Sequence, residues 1–373
     1  MRVRLGNYIK EYSVRNKAGE NIPVYSVTNT QGFCRDYFGK EVASKDKSTY
    51  KIVPKGYFAY NPSRINVGSV DWQRNEDRVI VSPLYNVFSV ANELNQQYLY
   101  YYLKSDITLH RIKSIATGSV RDNLKFDMLS EFKINLPNVN KQISIVNILD
   151  KIGMLIRKQQ TEIEKLDDLI KSRFVEIFGD PRSNPYGFSR KMLKDTCKVI
   201  TGNTPSRSVE EYYGDYVEWI KTDNIVSELL NPTKASEMLS EEGMKVGRAV
   251  GKDSILMACI AGSIASIGRV CVTDRTVAFN QQINAVVPED YNILFLYVLL
   301  QLSKEYLVEE INMALKGILS KSKLEEKEFM VPPMELQKEF ASFVDQVNKS
   351  KLLEWINLAK KSFDLLHERI CIW

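Results

Sequence analysis

The side chains that most often perform acid–base or metal chemistry are scarce in this sequence. Its two histidines, His110 and His367, stand outside any catalytic or metal-binding motif, so we interpret both as surface or packing residues. The five cysteines are scattered and form no Cys-x-x-Cys pair, which fits reduced thiols in a cytosol and argues against structural zinc. We therefore expect no catalytic centre and no metal in this chain.

Two short segments resemble substrate or cofactor loops but lack essential residues. Asn61-Pro62-Ser63-Arg64 lacks the second proline and the aromatic residue of the Asn-Pro-Pro-Tyr motif with which adenine methyltransferases hold a flipped base. Gly262–Gly268 has neither the Rossmann glycine spacing nor the lysine of a P-loop, so we interpret it as a tight turn between strands. Both observations argue against methyl transfer or nucleotide hydrolysis by the chain itself.

Several polar loops combine glycine, hydroxyl or amide side chains and cations, the groups that contact phosphates and base edges in DNA complexes. These loops are Asn61–Gly68, Thr117–Lys125, Thr201–Arg207 and Lys316–Lys323. Their candidate DNA-binding residues are Arg64, Asn66, Ser119, Arg121, Lys125, Thr204, Ser206, Arg207, Lys316, Lys321 and Lys323. Ordinary solvent loops of the same composition are the alternative interpretation, and the residue types alone leave it open.

The net charge of +5 is mild, but its distribution along the chain is uneven. Residues 1–136 hold 20 Lys+Arg against 13 Asp+Glu, a net charge of +7, and residues 179–331 hold 18 against 21, a net charge of −3. On charge alone, the first half is expected to bind a polyanion, and the second half is not.

The chain repeats itself. Leu136–Gln142 recurs as Val331–Gln337, and the two prolines at 137 and 332 are 195 residues apart. Beyond each proline the apolar residues stay in step: Ile145, Ile148, Leu149 and Ile152 match Phe340, Phe343, Val344 and Val347. Upstream, Leu99, Tyr100 and Leu103 match Leu296, Tyr297 and Leu300. The sequence therefore predicts two copies of one module.

Each module begins with short β-type runs and ends in a long helix, which predicts an α+β fold. The runs are Tyr57–Tyr60, Val79–Val81 and Ser254–Met257. Apolar stretches at Tyr98–Lys104 and Asn292–Ser303 are more typical of short buried helices.

The first long helix has the seam of a coiled coil. Ten positions advance by alternate steps of four and three, and eight of them are apolar: Ile145, Leu149, Ile152, Ile156, Gln159, Ile163, Leu166, Ile170, Arg173 and Ile177. Phe178-Gly179-Asp180-Pro181 predicts the end of this helix, with glycine as the C-cap and proline beyond it. A helix of about 40 residues is a rod of about 60 Å.

The second long helix begins with the same seam and then changes phase. Leu336, Phe340, Phe343 and Val347 are followed by a displaced series at Leu352, Ile356, Ala359, Phe363, Leu366 and Ile370. We expect the two seams to pack against each other as an antiparallel coiled coil that separates the two globular modules.

These features together resemble the specificity subunits of type I restriction–modification systems, over essentially the whole chain. The resemblance rests on the two proline-plus-glutamine helix starts and on Leu166–Gly179. It rests also on Gly202–Ser206 with Trp219–Ile225, which resemble the opening of a recognition domain in that family and add Lys221 to the candidate DNA-binding residues.

The resemblance implies a division of labour along the chain. Residues 1–136 and 181–331 would be two target-recognition domains that each read half of a bipartite double-stranded DNA site. Residues 137–180 would be a spacer helix and 332–373 a C-terminal helix. The helices would dock two adenine methyltransferase (modification) subunits, and the candidate partner-binding residues are Leu166, Leu169, Ile170, Phe174 and Phe178.

The resemblance also implies where the cofactors belong. A restriction subunit with ATP-driven translocase activity would join the complex. S-adenosylmethionine, ATP and Mg would belong to these partner subunits, with no cofactor in this chain, no membrane association and a cytoplasmic location.

The second helix departs from the family pattern, because it lacks a Phe-Gly ending and finishes at Glu368–Trp373. The competing hypothesis is a coiled-coil scaffold whose modules bind proteins and not DNA, and the acidic second module supports it. A stand-alone endonuclease is disfavoured, since no cluster of metal ligands stands in the sequence.

The charge asymmetry makes a direct prediction. A fragment of residues 1–136 should bind DNA with a steeper salt dependence than a fragment of residues 181–331, because each phosphate contact adds about −0.9 to the slope of log affinity against log salt. Fluorescence anisotropy with one duplex across a salt series measures both slopes. Equal slopes would show that the placement of cations, and not net charge, sets the response.

Overall fold

The fold is that of a computed structural model, which describes residues 2–35, 47–116, 123–309, 311 and 317–367. The chain forms two compact units, one within residues 1–157 together with 359 onward and the other spanning 158–358. Within the described ranges, no helix combines the length and the apolar character that a membrane crossing requires.

The first unit mixes short strands with short helices and ends in a long helix. Its strands are β1 (Arg2–Arg4), β2 (Ile9–Glu11), β3 (Ser26–Thr28), β4 (Gly32–Cys34), β5 (Lys51–Pro54), β6 (Phe58–Tyr60), β7 (Val70–Trp72), β8 (Arg78–Val81), β9 (Asn86–Val90) and β10 (Lys133–Asn135). Its helices are α1 (Gln96–Lys104), α2 (Asp106–Ala116), α3 (Phe126–Ser130) and the start of α4 (Val139–Phe178). Short 3-10 turns lie at Leu5–Asn7 and Ile65–Val67.

The second unit likewise mixes short strands with short helices, with an additional helix, α5, among its strands. Its strands are β11 (Arg190–Met192), β12 (Cys197–Thr201), β13 (Tyr213–Ile220), β14 (Met238–Leu239), β15 (Ala249–Val250), β16 (Ile255–Ala258), β17 (Val270–Val272), β18 (Val277–Phe279), β19 (Ile283–Pro288) and β20 (Glu328–Met330). Its helices are α5 (Glu241–Val246), α6 (Ile293–Leu302), α7 (Lys304–Val308), α8 (Lys321–Glu326) and most of α9 (Met334–His367). The predicted strand runs and the two predicted short helices are confirmed.

The sheets show the internal repeat directly. One four-stranded sheet in each unit has equivalent strands in the same order, β2-β9-β6-β7 in the first and β12-β19-β16-β17 in the second. A two-stranded antiparallel ribbon closes each unit, β1 with β10 and β11 with β20. The remaining sheets are β3-β4, β5-β8 and β14-β13-β18-β15. The prediction of two copies of one α+β module is confirmed.

Each unit has its own apolar core. In the first, Phe58 stacks on Phe88 with ring centroids 5.0 Å apart. In the second, Phe178 meets Phe295 at 4.9 Å. Three of the cysteines, Cys197, Cys259 and Cys271, are buried, and burial raises the pKa of each of these thiols to about 12. Their burial makes them packing residues of the second unit.

A buried glutamine fastens the start of each long helix to the rest of its unit. Gln142 is the fourth residue of α4; its amide oxygen accepts a hydrogen bond from Asn95 N at 2.8 Å, and its Nε2 donates to the Pro137 carbonyl at 2.9 Å. Gln337 is the fourth residue of α9 and makes the same two bonds, from Asn292 N at 2.9 Å and to the Pro332 carbonyl at 2.8 Å.

We call this arrangement the glutamine clasp. Asn95 and Asn292 are the N-caps of α1 and α6, so each clasp joins two helix starts at one point. Both glutamine side chains are fully buried, which explains why the proline-plus-glutamine segment is the clearest repeated motif in the sequence.

The predicted seam of α4 holds over part of its length. Gln159, Ile163 and Ile170 are buried, but Ile156 is 48% exposed. Nearer the end of the helix, the fully buried residues are Phe174 and Phe178 in place of the predicted positions 173 and 177. An α-helix has 3.6 residues per turn and drifts by about 20° per heptad, so a strict 3.5-residue series leaves the core-facing side.

Within the second unit, α4 and α9 run antiparallel, as predicted. Residue numbers fall along α9 as they rise along α4 in the contacting pairs Gln159–Glu354, Asp167–Lys351 and Phe174–Phe340. The displaced part of the α9 seam is not buried where the structure describes it, because Leu352 is 61% and Ile356 41% exposed. Lys351 and Glu354 face α4 there instead. The side chains further along this series lie outside the described residues.

The clasp predicts an unequal response to two matched substitutions in α9. Gln337→Met removes both bonds and leaves a buried N–H and a buried carbonyl without a partner, which should lower the free energy of unfolding by about 2 kcal/mol. Gln346→Met changes an exposed glutamine of the same helix and should cost less than about 0.5 kcal/mol. Urea unfolding of the full chain compares them, and equal losses would contradict a structural role for the clasp.

Candidate DNA interface

In the first unit, the loop at 61–68 is held by its own backbone. The Asn61 carbonyl accepts from Arg64 N at 3.0 Å, and its side-chain oxygen accepts from Ser63 N at 3.1 Å. The turn Ile65–Val67 then ends at Gly68, whose φ of 88° is the left-handed conformation that favours glycine. This geometry leaves Arg64 exposed and Asn66 half-buried.

The structure brings one further candidate residue beside this loop. Leu124 N donates to the Pro62 carbonyl at 3.1 Å, and Tyr60 Oη donates to the Leu124 carbonyl at 3.1 Å. The exposed Lys125 therefore follows a residue that is hydrogen-bonded to the 61–68 loop. Candidate residues Ser119 and Arg121 lie outside the described residues.

In the second unit, the loop at 201–207 is seated on two aromatic residues of β13. Tyr213 Oη donates to the Pro205 carbonyl at 2.7 Å, and Trp219 Nε1 donates to the Asn203 carbonyl at 3.3 Å. Gly202 packs directly against neighbouring backbone: a Cβ there would lie 2.1 Å from the Asn280 carbonyl oxygen. Thr204 and Ser206 lie on the exposed side of this loop.

Two cations of this loop region share one carboxylate. Arg207 and Lys221 each form an ion pair with Glu237. The Arg207 guanidinium carbon lies 4.5 Å from the Tyr213 ring centroid and 5.1 Å from that of Trp219. The hydrogen bond from Lys221 holds the pKa of the Glu237 carboxyl below its ordinary value, so this carboxylate is ionised at neutral pH.

We call Arg207, Lys221 and Glu237, with the rings of Tyr213 and Trp219, the ion-pair cluster. Glu237 joins it because its carbonyl accepts from Trp219 N at 3.0 Å, where the chain before β14 pairs with β13. Sequence reasoning missed Glu237, because no motif marks it and only strand pairing places it beside the two cations.

The last basic candidates of the second unit lie elsewhere. Lys321 and Lys323 are on α8, which packs against β12 and the turn Leu193–Asp195. Lys321 forms an ion pair with Glu325 at 3.5 Å, and Lys323 is exposed. Lys316 lies outside the described residues.

The first unit contains a stacked arginine that sequence reasoning also missed. The Arg74 guanidinium carbon lies 4.5 Å from the Trp72 ring centroid and 5.3 Å from that of Tyr100, and Asp71 accepts from Arg74 at 2.8 Å. Arg74 also donates to the Gln97 amide oxygen at 3.2 Å. These contacts use most of its donors within the unit, so we assign it a structural position.

The candidate partner-binding residues divide into buried and exposed members. Ile170, Phe174 and Phe178 lie in the core of the second unit, where Phe174 stacks on Phe295 at 5.4 Å. Leu166 is half-buried against the same core, and Leu169 is 47% exposed. Of this set, Leu169 therefore has the most surface to offer another protein.

Comparison with known proteins gives a consistent result. The family model described as "Type I restriction modification DNA specificity domain" matches residues 4–166 and 185–358. The chain is 25% identical to the HindI specificity subunit of a type I restriction enzyme from Haemophilus influenzae, over 67% of this chain and 70% of that protein. It is 26% identical to the MjaIX specificity subunit from Methanocaldococcus jannaschii, over 79% of this chain and 71% of that protein.

Solved structures share the fold at low sequence identity. A chain from a study of complex assembly and conformational transition of the type I R-M system superposes with a TM-score of 0.54 at 16% identity, covering 98% of this chain and 94% of that one. The S subunit of a type I restriction–modification system from M. genitalium superposes with a TM-score of 0.50 at 15% identity, with the same coverage.

The seating of the 201–207 loop predicts different effects of two glycine substitutions. Gly202→Ala would force a Cβ against the backbone of residues 279 and 280 and should cost about 1–3 kcal/mol of stability while displacing the loop. Gly262→Ala is the control, because nothing lies within 4 Å of a Cβ built there. Thermal unfolding of the full chain measures both, and a Gly202→Ala midpoint equal to that of the control would contradict the tight seating.

Proposed function

The chain belongs to the family of type I restriction–modification DNA specificity proteins, and from this premise we propose that its two modules each read one half of a bipartite double-stranded DNA site. The observation that carries the proposal is the repeat. The family model matches the chain twice, at 4–166 and 185–358, and each match contains one equivalent four-stranded sheet and the start of one long helix.

In this proposal the candidate residues identified from the sequence contact DNA. In the first module they are Arg64, Asn66 and Lys125, together with Ser119 and Arg121. In the second they are Thr204, Ser206, Arg207 and Lys221, together with Lys316, Lys321 and Lys323. Cations bind phosphates without regard to sequence, whereas amide, hydroxyl and guanidinium groups can form directional bonds with base edges.

We further propose the division of the chain that the resemblance implied, with recognition domains at 1–136 and 181–331 and helices at 137–180 and 332–373. The chain itself would be non-catalytic and cytoplasmic. Two adenine methyltransferase subunits would dock on the helices, with the exposed Leu169 in contact, and restriction/translocase subunits would join them. S-adenosylmethionine, ATP and Mg would be bound by these partners.

The alternative, a scaffold that binds only proteins, is not favoured by the family match over most of the chain. A gel shift with competitor DNA separates the two functions. A specificity subunit retards a duplex at low salt, whereas a protein-only scaffold retards none.

The decisive test of the bipartite proposal lengthens both helices together. One heptad is inserted into α4 after Gln159 and one into α9 before Glu354, so that these hydrogen-bonded partners move as a pair. Each helix grows by about 10 Å, which is about three base pairs at roughly 3.4 Å each. We expect the spacer between the two half-sites to grow by about that amount while both half-site sequences stay the same.

Sequencing of methylated adenines in cells that carry the partner subunits measures the spacer. A two-residue insertion at the same places rotates the contact face by about 200° and serves as the control that should abolish methylation. An unchanged spacer in the heptad variant would show that the helices do not set the separation.

A further inference from the structure

The ion-pair cluster combines two cations that belong to the proposed interface with a carboxylate that does not. Arg207 and Lys221 retain 55% and 29% side-chain exposure, so DNA can reach them. Glu237 is 34% exposed and pairs with both. Any phosphate that approaches these cations must therefore compete with a negative charge already in place.

The aromatic rings keep the cations where Glu237 can hold them. Arg207 lies over Tyr213 and Trp219, and the Lys221 ammonium lies 5.1 Å from the Trp219 centroid. Trp219 is 3% exposed and Tyr213 is anchored to the Pro205 carbonyl, so these rings are fixed parts of the module. The guanidinium is thus oriented before DNA arrives.

The candidate cations of the first module are arranged differently. Among the described residues, no carboxylate forms an ion pair with Arg64 or Lys125, and both side chains are exposed. Within the described part of the chain, Arg64 and Lys125 therefore lie on the proposed interface without a carboxylate partner. In the second module, Arg207 and Lys221 share one carboxylate, so one of their two charges is balanced before DNA arrives.

We propose that Glu237 is a specificity-determining residue of the second module, because it suppresses attraction to the phosphates of any duplex while leaving Arg207 able to read a base. A neutralised cation releases few counterions when it meets a phosphate, so this contact adds little affinity. A guanidinium has five N–H donors, and those that Glu237 does not use remain free for a base edge. This inference rests on the proposed DNA-reading function.

Other ion pairs of the module supply matched controls. Glu242 pairs with Lys245 along α5, and both side chains are exposed. Glu242→Gln therefore removes one negative charge from the same module without touching the cluster. Glu237→Asp keeps the charge in the cluster and tests whether charge or exact length matters.

The experiment uses the full chain and a 40-base-pair duplex of random sequence. The slope of log affinity against log salt is measured for the wild type, Glu237→Gln, Glu237→Asp and Glu242→Gln. Glu237→Gln removes one negative charge from the cluster and should make the slope more negative by about 0.9. Glu237→Asp should stay near the wild-type slope, and Glu242→Gln should change it less than Glu237→Gln does.

A second set of variants tests whether the steeper salt slope of Glu237→Gln comes from Arg207. In the wild-type background, Arg207→Ala should reduce the slope on random DNA by less than one phosphate contact, because Glu237 shares its one charge between this cation and Lys221. In the Glu237→Gln background, the same substitution should remove most of the added slope. The effect of Arg207→Ala on the slope differs between the two backgrounds only if Arg207 and Glu237 interact.

Selection of bound sites from a library of random duplexes is a further test, because a purely structural role of Glu237 would not change which sequences are selected. Sites selected by Glu237→Gln should lose sequence preference in one half and keep it in the other. If Glu237→Gln has the slope of Glu242→Gln, or selects sites as sharply as the wild type, this inference is wrong while the proposed function stands. If the wild type binds no duplex at low salt, the proposed function fails and the inference fails with it.

Discussion

The architecture depends on one constraint, that the buried start of each long helix must have its polar groups satisfied. The glutamine clasp meets it: one amide accepts the N–H of a neighbouring N-cap and donates to the carbonyl of the preceding proline. Because the site is buried, a backbone N–H left without a hydrogen-bond partner there would cost about 1–3 kcal/mol of stability. Strand end, short helix and long helix therefore meet at the same point in both modules, and the loops proposed to contact DNA are carried on that frame.

Local rules made the frame predictable from sequence. Proline followed by glutamine marked both helix starts, Gly179 with a φ of 76° marked the end of the first, and the repeat gave two modules. Where geometry accumulates over many residues, the prediction failed. The strict heptad series did not include Phe174 and Phe178, which helical drift turns toward the core. It also predicted buried positions at Leu352 and Ile356, which are exposed.

The candidate site was predictable in outline and not in its electrostatics. Glycine, hydroxyl groups and cations indicated the 61–68 and 201–207 loops, and the structure adds Lys125 to the first through the Leu124–Pro62 hydrogen bond. Glu237 could not be identified from the sequence, because it lies 30 residues after Arg207 and is placed beside it only by strand pairing. The net charge of the second module likewise gave no sign that Arg207 and Lys221 share one carboxylate.

The closing ribbons have a consequence for how such a chain can change. Arg2–Arg4 lies antiparallel to Lys133–Asn135, and Arg190–Met192 to Glu328–Met330, so each module enters and leaves through adjacent strands. The two strands form a stem at the base of each module, and the glutamine clasp joins the interior of the module to the long helix. The following helix begins four residues after the ribbon in both modules, so a replacement segment of different length would have to keep only the stem and the asparagine that meets the clasp. An exchange at both stems would then replace the loops proposed to contact DNA and leave the ribbon and the start of the following helix in place.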